Sequence, residues 1–388
     1  MISERSSRIP PFYVMEILEK AHELEREGAH IIHLEVGEPD FATPPPVIDA
    51  AENALAGGHT HYTHSLGVPR LREAIARHYN SRYGVEVSPE NVLVTSGTSI
   101  AMVLIFSALL NPGEELILSN PCYACYPNIL EFVGGVPRYV EVYEEDGFKF
   151  RPEGIEERLA AGVKGVLVNS PSNPTGIVLS ADDMREVAHA AGGTHVVSDE
   201  IYHGLVYEGA EHSMLEFTDR CFVLNGFSKL YAMTGWRLGY IISPPEFLRP
   251  MQKIQQNLLI CANSFVQWAG IAALEETDGY VREMVETYDS RRRLLLARVR
   301  AMGFTVAVEP TGALYIFANA RRFTDDSYAF CLEILEEAGV AIAPGIDFGS
   351  AGEGFVRFSY ANSIENIEEG ADRLARYLAG RRSEVSRV

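Results

Sequence analysis

Three short apolar runs limit what this chain can fold into. Gly165-Val166-Leu167-Val168, Thr194-His195-Val196-Val197 and Cys221-Phe222-Val223-Leu224 are brief, lack regular polar alternation and stop at polar or Gly-bearing breaks. That is the pattern of strands buried on both faces. A helical stretch from Ala181 to Ala191 separates the first two, which is βαβ organisation and predicts parallel strands. Parallel strands end on one rim, where open α/β sheets bind ligands. The predicted rim carries Asn173, Asp199, Tyr202 and Lys229.

Other segments extend this scheme. Val92-Leu93-Val94-Thr95 reads as a strand, followed by the small-residue turn Ser96-Gly97-Thr98-Ser99 and an apolar helix from Ile100 to Leu110. A strand that turns through glycine into a helix N-terminus offers free N–H groups and a positive dipole end, a seat for phosphate. Glu115 to Leu118 leads into a loop where Tyr123 can lie flat on a planar ligand, while Tyr126 reads as an aromatic capping the core. Near the start, Pro10 to Gly28 carries helical spacing, and Ile31 to Val36 reads as a strand stopped by Gly37-Glu38-Pro39. Beyond Pro244 helices dominate, the longest from Glu276 to Met302, and Phe304 to Ala318 reads as a hairpin turning at Glu309-Pro310-Thr311-Gly312. Phe355 to Tyr360 predicts an alternating strand with Arg357 between apolar neighbours. A buried arginine needs an anion, from an internal acid or from a ligand.

Charge and cysteine usage narrow the partners. A formal net charge of −20 argues against nucleic acid or an anionic membrane, since both reward a basic surface. No apolar run approaches the ~20 residues that span a bilayer, and the first residues lack the apolar core of a signal peptide, so a cytoplasmic protein is expected. Five cysteines, an odd number, fit a reducing compartment. Cys122-Tyr123-Ala124-Cys125 has no second pair with which to hold zinc. His59, His61 and His64 read as a solvated loop rather than metal ligands, and Arg291, Arg292 and Arg293 as a solvated helix face. No metal is expected.

Lys229 and Arg237 follow the third run in Gly226-Phe227-Ser228-Lys229-Leu230-Tyr231-Ala232-Met233-Thr234-Gly235-Trp236-Arg237-Leu238-Gly239. A desolvated lysine with a lowered pKa is a Schiff-base nucleophile, and an arginine fork suits phosphate. This stretch resembles the pyridoxal-phosphate attachment site of class I/II aminotransferases, the aspartate aminotransferase superfamily of fold type I. By motif the resemblance runs from about Ile31 to Arg357. It implies an α/β fold of the fold type I PLP-transferase kind, with a large domain of mostly parallel sheet flanked by helices and a smaller α+β domain. Residues 47–284 would form the large cofactor-binding domain, 1–46 an N-terminal arm and part of the small domain, and 285–388 the rest of the small domain.

The resemblance also distributes roles around pyridoxal 5'-phosphate. Lys229 would bond the cofactor, Asp199 pair with its ring nitrogen, Tyr202 and Asn173 hold its phenolic oxygen and Tyr123 stack on the ring. Ser96, Gly97, Thr98 and Arg237 would surround the phosphate, with Ser228 a further cofactor contact. Tyr62, in Tyr-x-x-x-x-Gly-x-x-x-Leu-Arg, would cross a dimer interface to the neighbouring subunit's phosphate, which implies a homodimer. Gly37, Asn173 and Arg357 would face the substrate, Arg357 gripping its α-carboxylate. Lys229, Tyr202 and Asp199 make up the expected catalytic set.

The implied activity moves an amino group from an L-amino acid to a 2-oxo acid in two half-reactions with ping-pong kinetics. Thr98 stands where some members that act on acidic substrates carry a lysine, which favours a neutral, apolar or aromatic donor with glutamate/2-oxoglutarate or alanine/pyruvate as the partner pair. A pyridoxal-phosphate lyase, of C–S or cyclopropane-forming type, would use the same residues. The ligand-sensing domain of a regulator is the remaining alternative, disfavoured because the chain lacks a basic DNA-binding footprint.

Overall fold

The computed structural model describes residues 2–160 and 162–385. Its strands, in chain order, are β1 (Ile32–His33), β2 (Val92–Thr95), β3 (Glu115–Asn120), β4 (Val136–Glu141), β5 (Val163–Asn169), β6 (His195–Asp199), β7 (Cys221–Gly226), β8 (Gly239–Ile242), β9 (Tyr315–Asn319), β10 (Val340–Ala341), β11 (Ala343–Pro344) and β12 (Phe355–Ser359). Seven form the main sheet in the order β2-β8-β7-β6-β5-β3-β4. Strands β3 to β7 pair in parallel, and β8 runs antiparallel to both its neighbours. This is the predicted mostly parallel α/β sheet.

The three apolar runs are its central strands. Phe222, Val223 and Leu224 in β7 have no exposed surface, and burying such side chains contributes about 1.5–3 kcal/mol each. The crossover helix Ala181–Ala190 lies between β5 and β6. Its start is fixed by a reciprocal cap: the Asp183 N–H donates to the Ser180 hydroxyl, and the Ser180 N–H donates to the Asp183 carboxylate. A cap of this kind is worth about 1 kcal/mol. Strands β5, β6 and β7 therefore deliver Asn169, Asp199 and Gly226 to one rim.

A second layer is built from shorter pieces. Strands β11-β12-β9 make an antiparallel sheet, and β1 pairs in parallel with β10. The long helix Asp278–Met302 packs against the final helix, Ile364–Val385. That last helix continues past Gly380 to Val385, and 386–388 lie outside the described residues.

Several local expectations change. Ile31 to Val36 pairs only over Ile32–His33, because Leu34 turns its carbonyl to Ser359 N–H. The helix expected from Glu276 to Met302 forms as Asp278–Met302, separated from the preceding helix Ser264–Glu276 by Thr277, whose hydroxyl donates back to the Ala273 carbonyl. The expected hairpin is closed by one bridge, Thr305 with Asn319. Its turn instead reaches Val206 through Gly312, and β9 takes β12 as its partner. Strand β12 is buried along its whole length rather than alternating. Arg291 and Arg292 are not on a solvated face: Arg291 pairs with Asp40 at 2.8 Å, and Arg292, 1% exposed, with Glu208 at 2.6 Å. Only Arg293 of the three is exposed.

Candidate active site

At the rim of the main sheet a cavity of about 290 Å³ is lined by Gly37, Thr98, Tyr123, Asn173, Asp199, Tyr202, Ser228, Lys229, Arg237 and Arg357, among others. These residues come from segments far apart in the chain, and the topology brings them together. Ser96 and Gly97 are not among the lining residues, which begin in this segment at Thr98, and Tyr62, 78% exposed, lies on an outer loop.

Lys229 follows β7 by three residues. Its Nζ donates to the Gly37 carbonyl at 2.7 Å. Removal from water, with Arg357 and Arg237 nearby, lowers the amine from 10.5 to about 8, against the opposing pull of Glu38 and Asp199. The side chain is thus a substantially neutral nucleophile at mildly alkaline pH.

Asp199 closes β6 and is 4% exposed. It accepts hydrogen bonds from the Tyr126 hydroxyl at 2.6 Å and the Ile201 N–H at 3.1 Å, and makes no ion pair among the described residues. Burial lifts it from 3.8 to about 6, while those two hydrogen bonds hold it down. A buried carboxylate without a cation is poised for a cationic ligand. Tyr126 is therefore part of the site as well as of the core, in which it is 1% exposed. Tyr123 stands just before the helix Cys125–Phe132, and the Tyr126 N–H donates to its carbonyl at 3.0 Å, so the two rings meet edge to face 5.3 Å apart. Tyr126→Phe removes a hydrogen bond to a charged group, worth about 1.5–3 kcal/mol. In the cofactor-free enzyme the Asp199 carboxyl then titrates about one to two units higher, as carboxyl NMR would read; an unmoved titration would remove Tyr126 from this role.

Arg357, 3% exposed in β12, is packed between the rings of Tyr315 and Phe348, its Cζ 4.3 and 4.8 Å from their centroids. One Nη donates to Asn173 Oδ1 at 2.8 Å and the other to the Glu35 carbonyl, and Nε is unpartnered. No carboxylate pairs with it among the described residues, so the internal salt bridge that would have explained it structurally is not formed. Asn169 donates to the Asp199 carbonyl and accepts from the Asn173 N–H, locking the ends of β5 and β6 to the Asn173 turn.

Two glycines permit close approaches. Gly97 caps the helix Thr98–Leu109 at φ +80°, and a Cβ there would lie 2.6 Å from Arg237 Nη2. The guanidinium therefore rests on a helix N-terminus, a combination that binds anions. A Cβ on Gly37 would fall 1.8 Å from the Tyr315 hydroxyl, which itself shares a hydrogen bond with the Tyr202 hydroxyl at 2.7 Å. Tyr315 and the cavity wall formed by Phe12, Val14 and Met15 gave no sequence signal. The latter is positioned from across the fold, by Asp347 accepting the N–H groups of Tyr13 and Val14 at 3.0 and 3.2 Å.

The profile of the family described as aminotransferase class I and II matches residues 29–374. The chain belongs to that family. Like other members, this aminotransferase depends on pyridoxal phosphate. It is 42% identical over 384 residues to a (5-formylfuran-3-yl)methyl phosphate transaminase of Methanocaldococcus jannaschii, covering 97% of this chain and 100% of the relative. A Methanococcus jannaschii structure, described as similar in its active site to kynurenine aminotransferases, superposes with a TM-score of 0.90 at 41% identity, covering 97% and 100% of the two chains. The aspartate aminotransferase of Thermus thermophilus with maleate superposes with a TM-score of 0.93 at 37% identity, covering 97% and 99%. The donor set suits the cofactor: an amine of lowered pKa, a buried uncompensated carboxylate, and a guanidinium on a helix N-terminus share one cavity. Among the described residues no helix of the aminotransferase is long and apolar enough to cross a membrane.

Proposed function

We propose that this aminotransferase takes its amino group from L-amino acids with neutral, apolar or aromatic side chains. The distribution of charge in the cavity carries the reading. Beyond Lys229, Arg237 and Arg357 the lining supplies no cation, its wall includes Phe12, Val14, Met15, Val36, Met102 and Ile201, and its one further carboxylate besides Asp199 is Glu38. Arg291, on the long helix Asp278–Met302, is committed to Asp40. A substrate's second carboxylate would therefore meet Glu38 without a cation from this chain. The likeness of the Methanococcus structure to kynurenine aminotransferases supports an aromatic donor, and the Thermus aspartate enzyme represents the competing dicarboxylate reading.

In this proposal Arg357 takes the substrate α-carboxylate through its fork, steadied by Asn173. Arg237 and the helix N-terminus at Thr98 take the cofactor phosphate, with Ser96, Gly97 and Ser228 around them. Tyr123 covers one face of the ring. When bound, pyridoxal phosphate supplies a carbonyl carbon for amine exchange and an electron-accepting ring. Asp199 would keep the ring nitrogen protonated, and Tyr202, tied to Tyr315, would donate to the phenolic oxygen. Lys229 would hold the cofactor, and its amine, of lowered pKa, would serve as the general base that takes the substrate Cα proton. Tyr62 stands exposed to reach the phosphate of a second copy in a homodimer.

Steady-state kinetics with single donors test the donor class. We expect kcat/KM for phenylalanine or leucine to exceed that for aspartate by at least about tenfold, since a tenfold ratio is only 1.4 kcal/mol. A preference for aspartate would overturn the proposal.

A further inference from the structure

We infer that His22, Glu25 and His33 form a binding site for a divalent transition ion of the zinc or cobalt class. The site lies at the far end of the helix Tyr13–Arg26 from the residues that line the cavity. His22 and Glu25 are three residues apart and share one helix face. Strand β1 brings His33 against that face. One ligand atom from each of the three lies within 4.8 Å of the other two, the only such grouping of His, Cys, Asp and Glu among the described residues. Neither His59, His61 nor His64 belongs to it.

The second coordination layer is already in place. His33 Nδ1 is 2.8 Å from Oε1 of Glu35. Glu35 has no exposed surface, and its other oxygen is buried without a partner. An Nδ1–H donated to a buried carboxylate fixes the ring and turns the Nε2 lone pair outward, the arrangement in which metal-ligating histidines are commonly held. That Nε2 is 3.2 Å from Glu25 Oε1, and the rings of His22 and His33 are 5.8 Å apart at 49°. Two imidazoles and one carboxylate form a zinc ligand set that leaves a position for water. Ligand atoms around a tetrahedral ion stand about 3.3 Å apart, given bonds of about 2.0–2.1 Å. The contraction is accessible because His22 and Glu25 are exposed side chains on the helix surface. A bound ion would also place positive charge beside Glu35, whose carboxylate has no other cation among the described residues, and would tie the helix to β1.

The competing arrangement is a protonated His33 held between Glu25 and Glu35 with no ion. Tag-free holoenzyme, stripped with a chelator, separates the two when titrated with Zn(II) by calorimetry and with Co(II) by visible absorption. The inference predicts one ion per chain, a ligand-field spectrum of low-coordinate cobalt, and a rise in Tm with zinc. His22→Ala and Glu25→Gln, both at exposed positions, each weaken binding at least tenfold and leave transamination unchanged, while His61→Ala binds like the parent. The inference is overturned by absence of binding, by binding that survives His22→Ala, or by binding lost in His61→Ala.

Discussion

Lys229→Ala is expected to lower kcat by at least about 10⁴-fold, because it removes both the covalent anchor and the general base, and the base alone is worth about 10²–10⁴. A structural explanation for that loss can be excluded by the same variant. The amine is depressed from 10.5 to about 8, so the folded chain holds this proton less tightly than the unfolded chain. The resulting penalty is present in full below pH 8 and fades as pH rises towards 10.5. A shift of 2.5 units corresponds to roughly 3 kcal/mol, an upper value offset by the packing that the side chain provides. The cofactor-free variant should accordingly melt no lower than the parent at pH 7, and any advantage should shrink as pH rises from about 8 to 10.5. A variant that is inactive because it is unstable would contradict this pairing of effects.

Asp199→Asn is the second large effect. Asparagine keeps the shape and can still accept from Tyr126, yet it cannot balance a charged ring nitrogen, so kcat should fall by about 10³-fold, in the range seen when one fixed electrostatic group is removed from an active site. Stability should move the other way. Asp199 rises from 3.8 in the unfolded range to about 6 in the fold, so its ionised form destabilises the cofactor-free protein fully above pH 6 and not at all below 3.8. The asparagine variant should therefore melt higher than the parent at neutral pH, lose that advantage by pH 4, and bind the cofactor more weakly. Thermal scans across pH with and without cofactor would show both signs. A holoenzyme of unchanged affinity and rate would remove Asp199 from the ring nitrogen.

What could be read from the sequence was local. Strands β5, β6 and β7 announce themselves as short apolar runs, and their breaks carry Asn173, Asp199 and Lys229 because a parallel sheet ends its strands where side chains can meet. The Ser96 to Ser99 turn was legible for the same reason, as strand, glycine and helix in succession. The unread features depend on contacts between distant segments. Tyr315 reaches Tyr202 only because Gly37 has no side chain in its way. The N-terminal helix meets the cavity because Asp347, more than 330 residues later, accepts from its first N–H groups. Arg291 and Arg292 looked like a charged surface because their partners, Asp40 and Glu208, are remote in sequence. Helical spacing cannot distinguish a solvated arginine from one neutralised by another element.

The most direct test of the account is to find which lysine carries the cofactor. Purified holoenzyme would be reduced with borohydride, digested, and its peptides mapped by mass spectrometry for the phosphopyridoxyl adduct. The account predicts the adduct on Lys229 alone. An adduct on Lys20, Lys149, Lys164 or Lys253, or none on a protein that transaminates, would contradict it.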